Sequence, residues 1–241
     1  MRHSAHYEVL SHDAGRNNEV HPSAVFRYFQ ETADSQMRTE GPTYRELYEQ
    51  GYAFVLSRMH VRLHGTLRAY DKITVQTWAY DPPRGAAFER YYQLYRGNEL
   101  VAEAGSVWAL LNIRTGELCR VGSVDVHYGS DEPLDIGTRF RLPALEWKTA
   151  DAHTVRYADV DINNHMNNTR YLDMLCDRIP DIDARRITDM QIAYLAEAPL
   201  GETLAVKIAA TEEDGHTVYW FETARADGSV NVRARIETEN L

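Results

Sequence analysis

His6-Tyr7-Glu8-Val9, running on through Asp13, Asn17-Asn18 and Phe26 to Phe29, has a counterpart in Ala152-His153-Thr154-Val155, running on through Asp159 to Leu175. One constant offset of 146 positions, read from Asn18 to Asn164, superposes them. Val9 then falls on Val155, Asp13 on Asp159 and Asn17 on Asn163. Apolar Val20, Phe26 and Phe29 fall on Met166, Leu172 and Leu175. Each copy reads as a short extended run, an Asn-rich turn and an amphipathic stretch. A shared offset and a shared element order point to an internal duplication. The competing reading is two unrelated α+β domains that match by chance.

Working outward, the amphipathic stretches have helical spacing: Val25, Phe26, Phe29, Ala33 and Met37 in the first copy, Tyr171, Leu172, Leu175, Cys176 and Ile179 in the second. Gly41-Pro42 stops the first, and Pro180 ends the second, which is expected to span Met166–Ile179. Strands follow each helix. Met59, Val61 and Leu63 alternate like Met190, Ile192 and Tyr194. Lys72–Tyr80, Phe88–Tyr95 and Val101–Leu111 continue the first copy; Glu202–Ala210, Thr217–Ala224 and Val230–Glu237 continue the second. Each half is thus one strand, a long helix and an antiparallel set of strands, an α+β architecture with a curved sheet wrapped around one helix. The intervening residues 126–146 hold Gly129-Ser130, Pro133, Gly137 and Pro143 with little periodicity and read as a linker. The expected domains are therefore 1–125 and 147–241.

Composition narrows the function. Of 241 residues, 44% are hydrophobic and 26% charged, as in soluble globular chains. No stretch approaches the roughly 20 apolar residues of a membrane helix, so no membrane insertion is expected. Met1-Arg2-His3-Ser4-Ala5-His6 has no apolar core of a secretory signal, which makes the cytoplasm the expected location. Cys119 and Cys176 then read as free thiols. A formal net charge of −10 argues against nucleic-acid binding, because phosphate neutralisation needs a surplus of Lys and Arg. Scattered histidines and the lack of H-E-x-x-H or C-x-x-C give no metal site. No nucleophile elbow, Walker loop or G-x-G-x-x-G occurs, and no cofactor is expected.

The densest polar cluster runs from Asp159 to Tyr171, before the second helix. A carboxylate and an imidazole there, Asp161 and His165, could position or deprotonate a water, and Asn163 could hold it without adding charge. A helix N-terminus would polarise a carbonyl. The plainer reading is helix capping, which favours Asp and Asn equally. A second candidate is Glu197, set between Ala196 and Ala198 in what reads as an apolar strand. Exposed, it would be an ordinary surface glutamate.

Asp161-Ile162-Asn163-Asn164-His165-Met166-Asn167-Asn168, followed by Tyr171, resembles the D-x-N-x-H-x-N-N-x-x-Y signature of plant and bacterial acyl-ACP thioesterases. Arg58-Met59-His60-Val61, Thr77-Trp78, Ser106-Val107-Trp108 and Leu111-Asn112 extend the likeness over nearly the whole chain. The resemblance implies two tandem hot-dog domains and hydrolysis of the thioester joining a fatty acyl chain to the phosphopantetheine arm of acyl carrier protein. By motif position it makes Asp161, Asn163, His165 and Glu197 catalytic, with the glutamate as base toward water. Plant members carry a cysteine directly after that glutamate; here Ala198 stands there, which argues against a covalent cysteine mechanism. Gly15 and Glu19 stand opposite Asp161 and His165, so the first copy has lost the constellation and is implied to supply acyl-chain binding. Alternatives from the same fold are an acyl-CoA thioesterase, a dehydratase and a non-catalytic acyl-thioester-binding module. A tandem pair is complete as a monomer, and homodimerisation stays open.

Overall fold

The computed structural model describes residues 1–80, 87–120, 122–126 and 128–241. Part of the expected first domain (81–86 and Val121) and His127 of the expected linker lie outside the described residues. The chain divides into two compact units, one of Met1–Val20 with Ala24–Thr138, the other of Arg139–Leu241 with His21–Ser23.

The first unit contains β1 (His3–Glu8), α1 (Pro22–Glu40) from Ala24 onward, α2 (Tyr44–Gln50), β2 (Tyr52–Leu63), β3 (Lys72–Ala79), β4 (Ala87–Arg96), β5 (Glu99–Asn112) and the short β6 (Leu118–Cys119). Its strands lie antiparallel in the order β1-β3-β4-β5-β2, with β6 paired to β5. The second unit contains β7 (Lys148–Thr154), α3 (Arg170–Cys176), β8 (Arg185–Tyr194), β9 (Thr203–Glu213), β10 (His216–Ala224) and β11 (Val230–Asn240). Its order, β7-β9-β10-β11-β8, is the same arrangement. Both units are hot-dog folds, as the sequence led one to expect.

In the first unit α1 lies against the sheet through Val25, Phe26 and Phe29. Phe29 meets Tyr92 of β4 at 5.0 Å, and Tyr28 meets Tyr7 of β1 at 5.2 Å between ring centroids. Thr32 and Gln36 are fully buried on the same face, where the apolar pattern alone gave no reason to place them. The Thr32 hydroxyl donates to the Tyr28 carbonyl, and the Gln36 carbonyl accepts from the buried guanidinium of Arg90 at 2.5 Å. Bonded in this way, buried polar groups cost little. Gly41, at φ +65°, closes the helix by donating its N–H to Met37. The capped helix α2, with Thr43 and Glu46 bonded reciprocally, was not expected.

The second helix is a correction. It spans Arg170–Cys176 rather than Met166–Ile179. Met166 is drawn into a bridge with Val160 and donates its N–H to Ala198, so the helix cannot begin there. At the other end the Arg178 guanidinium donates to the Met174 carbonyl at 2.6 Å and to Asp151, stopping the helix before Pro180.

Among its described residues the supposed linker holds neither helix nor strand beyond a single bridge at Ser130, yet it is packed. Ser130 accepts from the N-terminal amine, Asp131 pairs with Arg2 at 2.7 Å, and Gly137 accepts from His60 at 2.6 Å. Ile136 packs on Trp78 and Tyr91 of the first unit. A Cβ on Gly105 would come within 3.0 Å of the Ile136 side chain, so glycine lets the strap lie on β5. Farther on, Phe140, Leu142, Leu145 and Trp147 pack on Ala209, Val218 and Trp220 of the second unit.

The duplication is visible bond by bond. Gly15 N–H donates to Glu19 and Asn18 N–H to Gly15; Asp161 N–H donates to His165 and Asn164 N–H to Asp161. Asn18 and Asn164 both take the left-handed conformation, at φ 59° and 64°. Ala14 bridges Val20 as Val160 bridges Met166. Val20 N–H donates to Leu67 as Met166 N–H donates to Ala198, and Val9 pairs with Tyr70 and Asp71 as Val155 pairs with Gly201 and Glu202. These pairings set Thr66 opposite Glu197.

Candidate active site

The Asn-rich turn of the second unit is held by its own side chains. Asp161 accepts from the Asn163 N–H at 2.8 Å through one carboxylate oxygen and from the Asn167 amide at 3.2 Å through the other. Asn167 in turn accepts from the Thr169 N–H at 2.9 Å and hydroxyl at 2.7 Å, and its carbonyl accepts from the Arg170 N–H. Asn167 thus ties the turn to the start of α3, whose N-cap position is Thr169. Its bonds occupy the Thr169 and Arg170 N–H groups at the start of α3. Asn163 is exposed in the turn.

His165 and Glu197 are brought together across a second junction. β8 ends at Tyr194, so Glu197 lies in the following loop rather than on an apolar strand. That loop runs back along the turn: His165 bridges Pro199, and Met166 N–H donates to Ala198 at 2.8 Å. The His165 Nε2 stands 3.6 Å from a Glu197 carboxylate oxygen, and its Nδ1 faces the Met166 carbonyl at 3.4 Å. A carbonyl can only accept, so Nδ1 carries a proton whenever that bond forms, leaving Nε2 toward the glutamate. Glu197 is 66% exposed and His165 21%. The pair is open to water on the carboxylate side. Asp161 touches this pair through its backbone, donating its N–H to the His165 carbonyl at 3.2 Å.

Beneath the junction lies a buried polar layer. The Tyr194 hydroxyl donates to the Asn168 carbonyl at 2.8 Å, and Tyr171 packs edge-on against Tyr194 at 5.9 Å. Burial pushes the Tyr171 hydroxyl up to about 12, helped by the charge of Glu197 and opposed by a hydrogen bond from Asn231. Burial also raises Tyr194 well above its ordinary value, with Tyr171 adding to the effect. Both phenols stay neutral at neutral pH. Asn231 and Thr223, fully buried here, were not expected. An Asn between Val230 and Val232 in an alternating strand was the available signal.

Both cysteines are free. Burial raises the Cys176 thiol far above its ordinary range, and Asp173 and Asp177 push it the same way. Among the described residues no cluster of His, Cys, Asp and Glu could hold a metal ion, and no helix is long and apolar enough to cross a membrane.

With this geometry in view, the comparisons are informative. Residues 1–125 match the model of the acyl-ACP thioesterase N-terminal domain, and 144–240 that of the C-terminal domain. A chloroplastic acyl-carrier-protein hydrolase of Cuphea viscosissima is 22% identical over 87% of this chain and 55% of its own. A chloroplastic palmitoyl-acyl carrier protein thioesterase of Arabidopsis thaliana is 22% identical over 85% of this chain and 54% of its own. The chain thus spans about half the length of the curated relatives it matches. An acyl-ACP thioesterase structure from Bacteroides thetaiotaomicron superposes with a TM-score of 0.88 at 24% identity, covering 99% of this chain and 98% of that one. The 12:0-ACP thioesterase of Umbellularia californica gives 0.82 at 19%, covering 100% and 94%. These structural likenesses establish the fold. The family models, which between them take in both units, establish that this chain belongs to the acyl-ACP thioesterase family.

Proposed function

We propose that the protein hydrolyses the thioester of fatty acyl chains carried on acyl carrier protein, in fatty acid biosynthesis, with Glu197 as the base. The observation that carries this reading is the meeting of Glu197 and His165, at 3.6 Å, on an open face of the second unit. Glu197 accepts a proton from a water whose oxygen attacks the thioester carbonyl. His165 flanks the carboxylate, Asn163 orients the water from the turn, and Asp161 holds the turn that carries both. The tetrahedral intermediate collapses with cleavage of the C–S bond. The leaving thiolate takes the proton back from Glu197, and the products are a free fatty acid and the carrier's thiol. A thiol has a pKa of about 8.5 and leaves readily, so no strong acid is required. In this reading the first unit, with Gly15, Glu19 and Thr66 where the second has Asp161, His165 and Glu197, binds the acyl chain and performs no chemistry.

Acyl-CoA hydrolysis by the same residues is the second reading. Thiol release from chain-length-matched acyl-ACP and acyl-CoA separates them: kcat/KM at least tenfold higher on acyl-ACP is expected, and the reverse ranking would sink the carrier assignment. No thiol release from either leaves only the binding module or the dehydratase. The cytoplasmic location belongs to this reading and is tested by fractionating cells that make the full-length protein. Its solution mass, by light scattering, decides between monomer and homodimer.

A further inference from the structure

Each unit carries a β-bulge directly behind the loop that follows its strand β2 or β8. In the second unit Thr223 pairs with Val232 and Ala224 with Val230, leaving Asn231 extra. Its carbonyl accepts from the Leu195 and Ala196 N–H groups at 2.9 and 3.1 Å. In the first unit Leu94 pairs with Ala102 and Tyr95 with Leu100, leaving Val101 extra. Its carbonyl accepts from His64 and Gly65 at 2.8 and 3.2 Å. Val101 and Asn231 are therefore equivalent, and both are buried.

Their side chains differ in kind. The Asn231 amide nitrogen donates to the Ala196 carbonyl in a short bond and to the Tyr171 hydroxyl at 3.1 Å. Its amide oxygen accepts from the Thr223 hydroxyl at 3.0 Å. By the two registers, Tyr171 and Thr223 correspond to Val25 and Leu94, both buried. Three apolar core positions of the first unit are thus polar in the second. The first unit forms its bulge with valine, so the backbone does not require an amide there. What the amide adds is a grip on the peptide that joins Ala196 to Glu197.

We propose that Asn231, backed by Tyr171 and Thr223, is a positioning residue that fixes the Ala196–Glu197 peptide so that the glutamate meets His165. A peptide is planar, so holding the Ala196 oxygen sets the plane from which Glu197 projects. On its other side the Ala198 carbonyl is held by Met166. An exposed carboxylate that would otherwise sample many rotamers leaves a backbone pinned at both ends, which is preorganisation at the reacting group.

The inference rests on Glu197 being the base, and the test separates the two. Asn231→Val takes from the Tyr171 hydroxyl its bond to the amide and leaves the Thr223 hydroxyl with only the Val232 N–H, so the variant Asn231→Val/Tyr171→Val/Thr223→Leu, which installs the first unit's residues, is measured beside it. Expected for both, in protein with a cooperative thermal melt, is a kcat lowered about 10- to 100-fold, the scale of a small misplacement of a catalytic group. KM for acyl-ACP should stay within about threefold, because ground-state binding is untouched. In a Glu197→Ala background, Asn231→Val should change the residual rate less than about twofold. If Glu197→Ala is inactive while folded Asn231→Val or the triple variant keeps normal kcat, the positioning role is wrong and the base stands. An equal loss in the Glu197→Ala background means a merely structural role and also overturns it. Near-normal turnover by Glu197→Ala removes the base itself, and the inference with it.

Discussion

Glu197 and His165 reach each other from opposite sides of one β-bridge, and neither is deeply buried. Glu197→Ala and His165→Ala should each lower kcat by ~10²–10⁴-fold, as for lost acid–base groups. The double variant should be little worse than the worse single, since both serve one proton transfer. Glu19→Ala, at the place of His165 in the first unit, should leave kcat within about threefold. Steady-state rates on acyl-ACP check all four; equal damage from Glu19→Ala would refute the division between the units. The cysteines are the second case at this scale. Burial keeps the Cys176 thiol protonated, and a thiol is a poor nucleophile beside a thiolate. Cys119→Ala/Cys176→Ala should retain most of the turnover, and mass spectrometry during turnover should find no acyl-cysteine.

The elements are tied down at their turns. In the first unit the buried Asp13 carboxylate accepts from the Tyr28 hydroxyl at 2.7 Å and the Arg27 guanidinium at 2.5 Å, joining the first turn to α1. Burial acts to raise the Asp13 carboxyl, but these two bonds outweigh it and hold the group below the usual carboxylate range. Folding thus favours its ionised form. That stability is fully present above the unfolded value of about 3.9 and is lost as pH falls through the lower folded value. Asp13→Asn keeps the shape, loses the charge and turns an amide toward Arg27; it should cost about 1–3 kcal/mol at pH 7. The gap in thermal midpoint between variant and wild type should narrow below about pH 4. A constant gap across pH would mean that shape, rather than ionisation, matters. In the second unit Asp159 plays the matching part more loosely, facing His153 at 3.1 Å.

The chain has a formal net charge of −10. An acidic carrier protein would have to dock on basic residues gathered locally, and attraction between exposed charges is screened by salt. KM for acyl-ACP should therefore rise with ionic strength more steeply than KM for acyl-CoA. Parallel titrations with sodium chloride measure both slopes, and equal slopes would count against recognition of the carrier.

Local pattern was enough for much of this protein. The offset joining Val9 to Val155 and Asn18 to Asn164, the strands with alternating residues, and the stop at Gly41 were all legible, because each is written in short local patterns, the first of them occurring twice. The candidate residues Asp161, Asn163, His165 and Glu197 were legible as types in a pattern. Tertiary structure decided the rest. Helix α3 is short because Met166 bonds to Ala198, more than thirty residues along the chain. The apparent linker is packed because Ile136 meets Trp78 and Phe140 meets Trp220. Glu197 owes its place beside His165 to a bridge, and its peptide to Asn231 on a strand later still. Contacts between residues so far apart leave no periodic trace, since each partner alone obeys only the rules of its own segment.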